Sequence, residues 1–199
     1  MGEPEQPPPE MTPRPDASDD ARPALLTFGH GRASREDLAR LLHDAGVRRV
    51  VDVRRYPGSR AHPQVNRDAL AQWLPMTGIE YRWEERLGGR RRLMADSPDT
   101  WWRVPAFRAY AGYMRTPAFR DAADVLLSDL GTAVTAVMCG ESVWWRCHRR
   151  LIADFVVLAR GGRVNHLHHD GRLTAHVAAT GARLSAEGDL VYDGVTDGG

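Results

Sequence analysis

Four short apolar runs, each stopped by glycine or charge and separated by stretches of helical period, constrain this chain most. Leu25-Leu26-Thr27-Phe28 ends at Gly29-His30-Gly31, and Arg49 to Val53 runs into Arg54 and Tyr56-Pro57-Gly58. Ala133 to Met138 ends at Cys139-Gly140-Glu141, and Arg163 to His168 is the fourth run. Runs this short and this apolar read as buried strands. Between the first two, Ser34 is an N-cap with Asp37 three residues on; Leu38, Leu41, Leu42 and Ala45 share one face, and Gly46 stops the helix. Strand, helix, strand in that compass predicts a parallel crossover.

The same reading continues along the chain. Asn66 caps a helix carrying Leu70, Trp73 and Leu74; Ile79, Tyr81 and Trp83 alternate as a half-buried strand. Residues 86–104 show little periodicity and read as a long loop. Thr116-Pro117 opens a helix with Phe119, Ala122, Ala123, Leu126 and Leu127 on one face. Leu151, Ile152, Phe155, Val156 and Ala159 line another that ends at Gly161-Gly162, and Asp189 to Tyr192 is a candidate edge strand. The prediction is one three-layer α/β domain, a mostly parallel sheet flanked by helices, over residues 24–170, with 171–199 as a C-terminal extension.

Residues 1–23 hold seven of the 13 prolines and six carboxylates against two arginines, a net of −4. They bury too little to offset ordering entropy and read as a disordered tail. The chain carries +1 overall, so the remainder is +5, and every one of its 27 basic side chains is Arg. A charge this small excludes polyanion binding by bulk charge alone, yet every cation is a planar fork suited to phosphate or base edges. No apolar run approaches the roughly 18 residues of a membrane helix. Two cysteines without a secretory leader point to a reducing, cytoplasmic setting. The number of subunits is left open.

Parallel sheets bind ligands at the carboxyl ends of their strands. There the sequence collects Gly29, His30 and Gly31; Asp52, Arg54, Arg55, Ser59 and Arg60; Glu84, Glu85, Arg86, Gly88 and Gly89; and Cys139, Glu141, Cys147, His148 and Arg149. Several of these stand in motifs that resemble the DUF488 family: Thr27 to Gly31, Val51-Asp52-Val53-Arg54 with Pro57, Ser59 and Arg60, and Leu87-Gly88-Gly89-Arg90. Further matches are Phe107 to Ala111 with Tyr113-Met114, and Met138 to Glu141 with Cys147-His148-Arg149. The resemblance departs at Gly31, where the family often has Ser, and at Val65, where an aromatic is usual. It implies one α/β domain with a shared polar site and assigns no reaction.

The leading functional expectation is an enzyme acting on nucleic acid or nucleotides, by base-directed N-glycosidic hydrolysis. Glu141, Asp52 and His30 would serve the reacting centre, because a carboxylate near an extruded nucleotide can activate water or stabilise an oxocarbenium ion. Gly29, Arg54, Ser59, Arg60, Gly88, Gly89, Arg90, Tyr110 and Arg149 would hold the substrate. Ten arginines flank the strand ends, and Trp101-Trp102 and Trp144-Trp145 add aromatic rings of the kind that stack on bases. This reading needs no cofactor and no metal, and no Walker or Gly-x-Gly-x-x-Gly loop is present.

Two other classes stand beside it. A thiol- or metal-dependent enzyme would centre on Cys139, Cys147 and His148, with His166 or His168 as a further ligand. Against it, Cys139 and Arg146 are one residue too far apart for a Cys-x5-Arg phosphate loop. Adjacent Cys147 and His148 also match no ordinary zinc spacing. The third class is a non-catalytic sensor of an anionic ligand or modified DNA.

Overall fold

The structure is a computed structural model that describes residues 23–194; the acidic segment 1–22 lies outside the described residues. Five strands run parallel in one sheet: β1 (Leu25–Gly29), β2 (Arg49–Asp52), β3 (Glu80–Trp83), β4 (Thr135–Cys139) and β5 (Val164–Leu167). A sixth, β6 (Leu173–Ala175), pairs antiparallel with β5. The order across the sheet is β3-β2-β4-β1-β5-β6. In register, Gly29 stands beside Cys139, and Asp52 lies between Met138 and Trp83.

Two cores cover the two faces. On one, α1 (Arg35–Asp44) and α2 (Arg67–Met76) lay Leu38, Leu42, Leu70 and Leu74 on Leu26, Phe28, Val50 and Met138. On the other, α3 (Pro105–Met114), α4 (Pro117–Leu130) and α5 (Arg149–Asp154) pack Phe107, Tyr110, Phe119 and Ile152 on Leu25, Val51, Val53 and Val137. Each such side chain contributes roughly 1.5–3 kcal/mol of burial. The Ser34 hydroxyl accepts the Asp37 N–H at 3.0 Å, as its spacing predicts.

Three features differ from the sequence reading. α3 emerges directly from the expected loop, opened by Pro105. The helix after Cys147 starts as α5 and finishes as a π-type turn, Phe155–Ala159, in which Phe155 and Val156 are buried. The segment after residue 170 reaches the core: β7 (Ala182–Leu184) and β8 (Leu190–Tyr192) form an antiparallel pair, and Leu190 and Tyr192 are buried in the second core.

Candidate functional site

β4 is threaded between β1 and β2, and the chain leaves these strands toward opposite faces. From β1 and β2 it turns to α1 and α2; from β4 it turns to α5. Parallel sheets open a crevice where neighbouring connections diverge in this way. The expected polar residues converge there, but on two sides of the sheet.

On the α5 side, the Cys139 and Cys147 thiols meet one imidazole nitrogen. His148 Nδ1 is 3.8 Å from the Cys139 sulfur and 3.6 Å from the Cys147 sulfur. The two sulfurs and the nitrogen all lie within 4.8 Å of one another. His148 Nε2 is 3.0 Å from the Val53 carbonyl, which can only accept, so Nε2 carries a proton and Nδ1 is the nitrogen turned to the sulfurs. The spacing argument against Cys147 and His148 fails here for a local reason. Cys147 is extended (φ −124°, ψ 150°) and His148 is helical (φ −58°, ψ −13°), so the chain bends between them and both side chains turn to the same point. Tyr110 closes one wall, its ring 5.1 Å from the His148 ring and its hydroxyl donating to Leu87 O at 2.6 Å. Gly89 closes another: a Cβ there would stand 3.1 Å from His148 Nδ1. Burial opposes ionisation of Cys147, but the Cys139 thiol, His148 and Arg149 together hold its pKa well below the ordinary thiol range; Cys139 is pushed up in turn by Cys147 and by burial.

Arg149 is fully buried beside this cluster. Its Nη2 donates to the Glu141 carbonyl, its Nε has no hydrogen-bond partner, and no carboxylate pairs with it among the described residues. Gly29 makes room for that arrangement, since a Cβ there would overlap Glu141 O at 1.8 Å and approach Arg149 Nη2 at 2.8 Å. The Glu141 side chain is exposed, and its Oε1 accepts the Val143 N–H at 3.2 Å.

On the α1 side, Asp52, Arg54 and His30 form a closed chain. Arg54 binds Asp52 through Nε at 2.8 Å and Nη2 at 2.6 Å, and the Tyr81 hydroxyl donates to the same carboxylate at 2.9 Å. Arg54 Nη1 is 3.2 Å from His30 Nε2, and His30 Nδ1 is 3.0 Å from Gly31 O. Arg54 can only donate and the carbonyl only accept, so His30 is the neutral Nδ1–H tautomer. Burial, and then the Arg54 charge, lower its pKa to about 4. Asp52 is thus fully engaged, and His30 is held as a neutral acceptor.

The remaining expected residues line the outer rim. Ser59 shapes its own turn, its N–H donating to Asn66 Oδ1 and its hydroxyl accepting from His62 N. Arg60 and Arg90 are exposed. Gly88 is packed on the Arg55 backbone, where a Cβ would come within 2.7 Å of Arg55 N. One member of each tryptophan pair does not face outward as expected: Trp102 and Trp144 are 2% and 7% exposed, while Trp101 and Trp145 are half-buried. Trp102 packs edge-on against Phe107, and Trp144 stacks on His166 at 3.9 Å.

A family model, "Domain of unknown function DUF488", matches residues 34–156. The chain belongs to the DUF488 family. No curated protein and no solved structure matches it. The DUF488 match spans Asp52, Arg54, Gly88, Gly89, Tyr110, Cys139, Glu141, Cys147, His148 and Arg149 and begins just after His30. Two participants in this DUF488 site escape sequence reasoning. The Val53 carbonyl, which sets the His148 tautomer, has no side-chain signature. Tyr81 was legible only as a strand residue, although its register beside Val50 places its hydroxyl within reach of Asp52.

Proposed function

We propose that this protein is a metal-dependent hydrolytic enzyme acting on nucleotides or nucleic acid, with Cys139, Cys147 and His148 as the protein ligands of one thiophilic divalent ion such as zinc. The observation that carries this reading is the pair of sulfur–nitrogen distances, 3.6 and 3.8 Å, to a single ring nitrogen. One ring nitrogen makes one good hydrogen bond to sulfur, not two, and an ion held between the three atoms accounts for both contacts. In a tetrahedral zinc site with Zn–S near 2.3 Å and Zn–N near 2.05 Å, the S···N edge is about 3.6 Å. The Val53 carbonyl orients the imidazole as outer partners of metal-bound histidines do. The thiolates of such a site would also offset the buried Arg149 charge, with which no carboxylate pairs among the described residues.

Two thiolates and one imidazole leave a fourth position for water or substrate, the pattern of catalytic rather than structural sites. An ion held by Cys139, Cys147 and His148 would supply a water of near-neutral pKa and a Lewis acid for the bond to be cleaved. The chain's own residues do the rest. His148 is fixed by Val53 O, Tyr110 and Gly89 exclude solvent from one side, and Arg149 holds the 139–141 turn through the Glu141 carbonyl.

Metal analysis after gel filtration tests the ligand set. Expected is about one zinc per chain, lost in Cys139→Ser and in Cys147→Ser. Wild-type protein that takes up no zinc or cobalt(II) after reduction contradicts it. Incubation with oligonucleotides and nucleotides, with and without chelation, then tests for released base or phosphate.

One observation favours N-glycosidic hydrolysis as a second reading. Of the two expected carboxylates, Asp52 is saturated by Arg54 and Tyr81, whereas Glu141 is exposed and has no cationic partner among the described residues. Glu141 is therefore the carboxylate free to meet a reacting sugar. Glu141→Gln should abolish base release while sparing zinc and substrate binding; full activity in that variant removes this reading.

A further inference from the structure

The loops that follow β2 and β3 form a rim beside the Cys/His centre, and that rim has its own chemistry. The two loops are locked together: Arg55 Nη1 donates to Arg90 O at 2.7 Å, and Gly88 lies on the Arg55 backbone. Tyr113 donates to Arg86 O at 2.7 Å, while Arg91 bonds the Gly88 and Glu85 carbonyls and stacks at 3.7 Å over Tyr113. This support holds Arg90 at φ 58°, the one positive φ among non-glycine residues described. Strained backbone of this kind persists where the surroundings over-determine it, often at ligand clamps.

The clamped loops present Tyr56, 60% exposed, with Arg55 and Arg90 guanidinium carbons 5.5 and 5.8 Å from its ring centre. Arg60 and Arg92 are exposed nearby in sequence on the same two loops. None of Arg55, Arg60, Arg90 and Arg92 has a carboxylate within ion-pair distance among the described residues, and Arg55 Nε has no hydrogen-bond partner. Against them stand Glu84, already paired with Arg86, and Glu85. The rim therefore sets Arg55 and Arg90 against one exposed ring, with Arg60 and Arg92 on the same two loops and no carboxylate paired with any of the four among the described residues.

We infer that this rim is a clamp for single-stranded nucleic acid, with a base stacked on Tyr56 and the flanking phosphates on Arg55, Arg60, Arg90 and Arg92. Rings and planar cations alternating on a preformed edge bind unpaired bases, whereas a paired duplex hides the faces that would stack. The inference rests on the enzyme reading only for what lies beyond the clamp; Gly89, one residue before Arg90, brings the rim against His148.

Fluorescence anisotropy with a labelled 12-nucleotide single strand and its duplex, across a salt series, tests it on the full chain. Expected is tighter binding of the single strand, with a log–log salt slope of about −3 for four phosphate contacts. Tyr56→Ala should weaken it about tenfold with the slope kept, and Tyr56→Trp should restore it. Arg60→Gln with Arg92→Gln should reduce the slope by about 1.4. Equal affinity for duplex, indifference to Tyr56→Ala, or displacement by a poly-glutamate peptide at matched charge would overturn the clamp. Zinc measured on the same preparations separates the two claims. Zinc-free protein that binds through Tyr56 supports the clamp and removes the metal reading; zinc-loaded protein indifferent to Tyr56 does the reverse.

Discussion

Gly89 sets how closely the β3 loop can approach the imidazole of His148. A Cβ at 3.1 Å from Nδ1 is tight contact, so Gly89→Ala should push the ring from its shared point with the two sulfurs. The fold should survive and zinc affinity fall by tenfold or more, read by competition with a chelating dye. Gly29 is less forgiving, since a Cβ there overlaps a backbone oxygen at 1.8 Å. Gly29→Ala should cost about 3 kcal/mol in urea denaturation. His30 supplies a pH signature. Its folded pKa, about 4, lies below the ordinary 6.5, so between those values the unfolded chain takes up a proton that the folded chain refuses. Stability is complete above pH 6.5 and falls as pH drops toward 4, by on the order of 2 kcal/mol from this residue. Burial lowers the pKa of His166 too, so His30→Gln should shrink the acid loss without removing it. An unchanged loss would contradict the assignment.

Among the elements, the 163–168 histidines have a role that no spacing rule displays. His166 Nδ1 is 2.7 Å from Thr27 Oγ1 on β1, and its Nε2 is 3.0 Å from His176 Nδ1. His176 Nε2 reaches Asp154 at the end of α5 at 2.8 Å, and Tyr192 on β8 donates to the same carboxylate at 2.9 Å. This buried chain joins β1, β5, α5 and β8, and Trp144 stacked on His166 ties it to the turn that carries Cys147. Asp154→Ala would leave His176, the Tyr192 hydroxyl and the Ala179 N–H without their acceptor, an expected loss of 3–5 kcal/mol by chemical denaturation. The sequence shows His166 alternating in a strand, but its partners lie 10 and 139 residues away, and no local pattern announces them. By contrast α3 is legible: Phe107, Tyr110, Ala111 and Met114 follow helical spacing behind an N-terminal proline, in a stretch between the expected loop 86–104 and the helix at Thr116 to which the sequence reading assigns no element. The tryptophan pairs misled for a related reason. Aromatic rings in irregular segments look exposed in sequence, and here Trp102 turns inward onto the second core and Trp144 onto His166.

At the scale of the whole molecule, the strand order decides which residues meet. Apolar runs and their polar ends were enough to locate a site at one edge of a parallel sheet, because strand direction follows from short helical crossovers. They did not tell which side of the sheet each residue takes. The pleat and the face each connecting helix covers set that: Asp52, between Val51 and Val53, points with Val50 to the α1 face, while the chain after β4 leads the cysteines to α5. The expected single cluster is accordingly two, one a saturated ion-pair chain and the other an imidazole nitrogen shared by two cysteine sulfurs. No helix among the described residues is long and apolar enough to cross a membrane. The central claim is that the second cluster holds one metal ion. X-ray absorption at the zinc edge of the loaded, full-length protein measures it most directly. The account predicts two sulfurs at about 2.3 Å and one imidazole nitrogen near 2.0 Å, with one further light-atom ligand. A shell of oxygen and nitrogen without sulfur, or zinc far below one ion per chain, would contradict it.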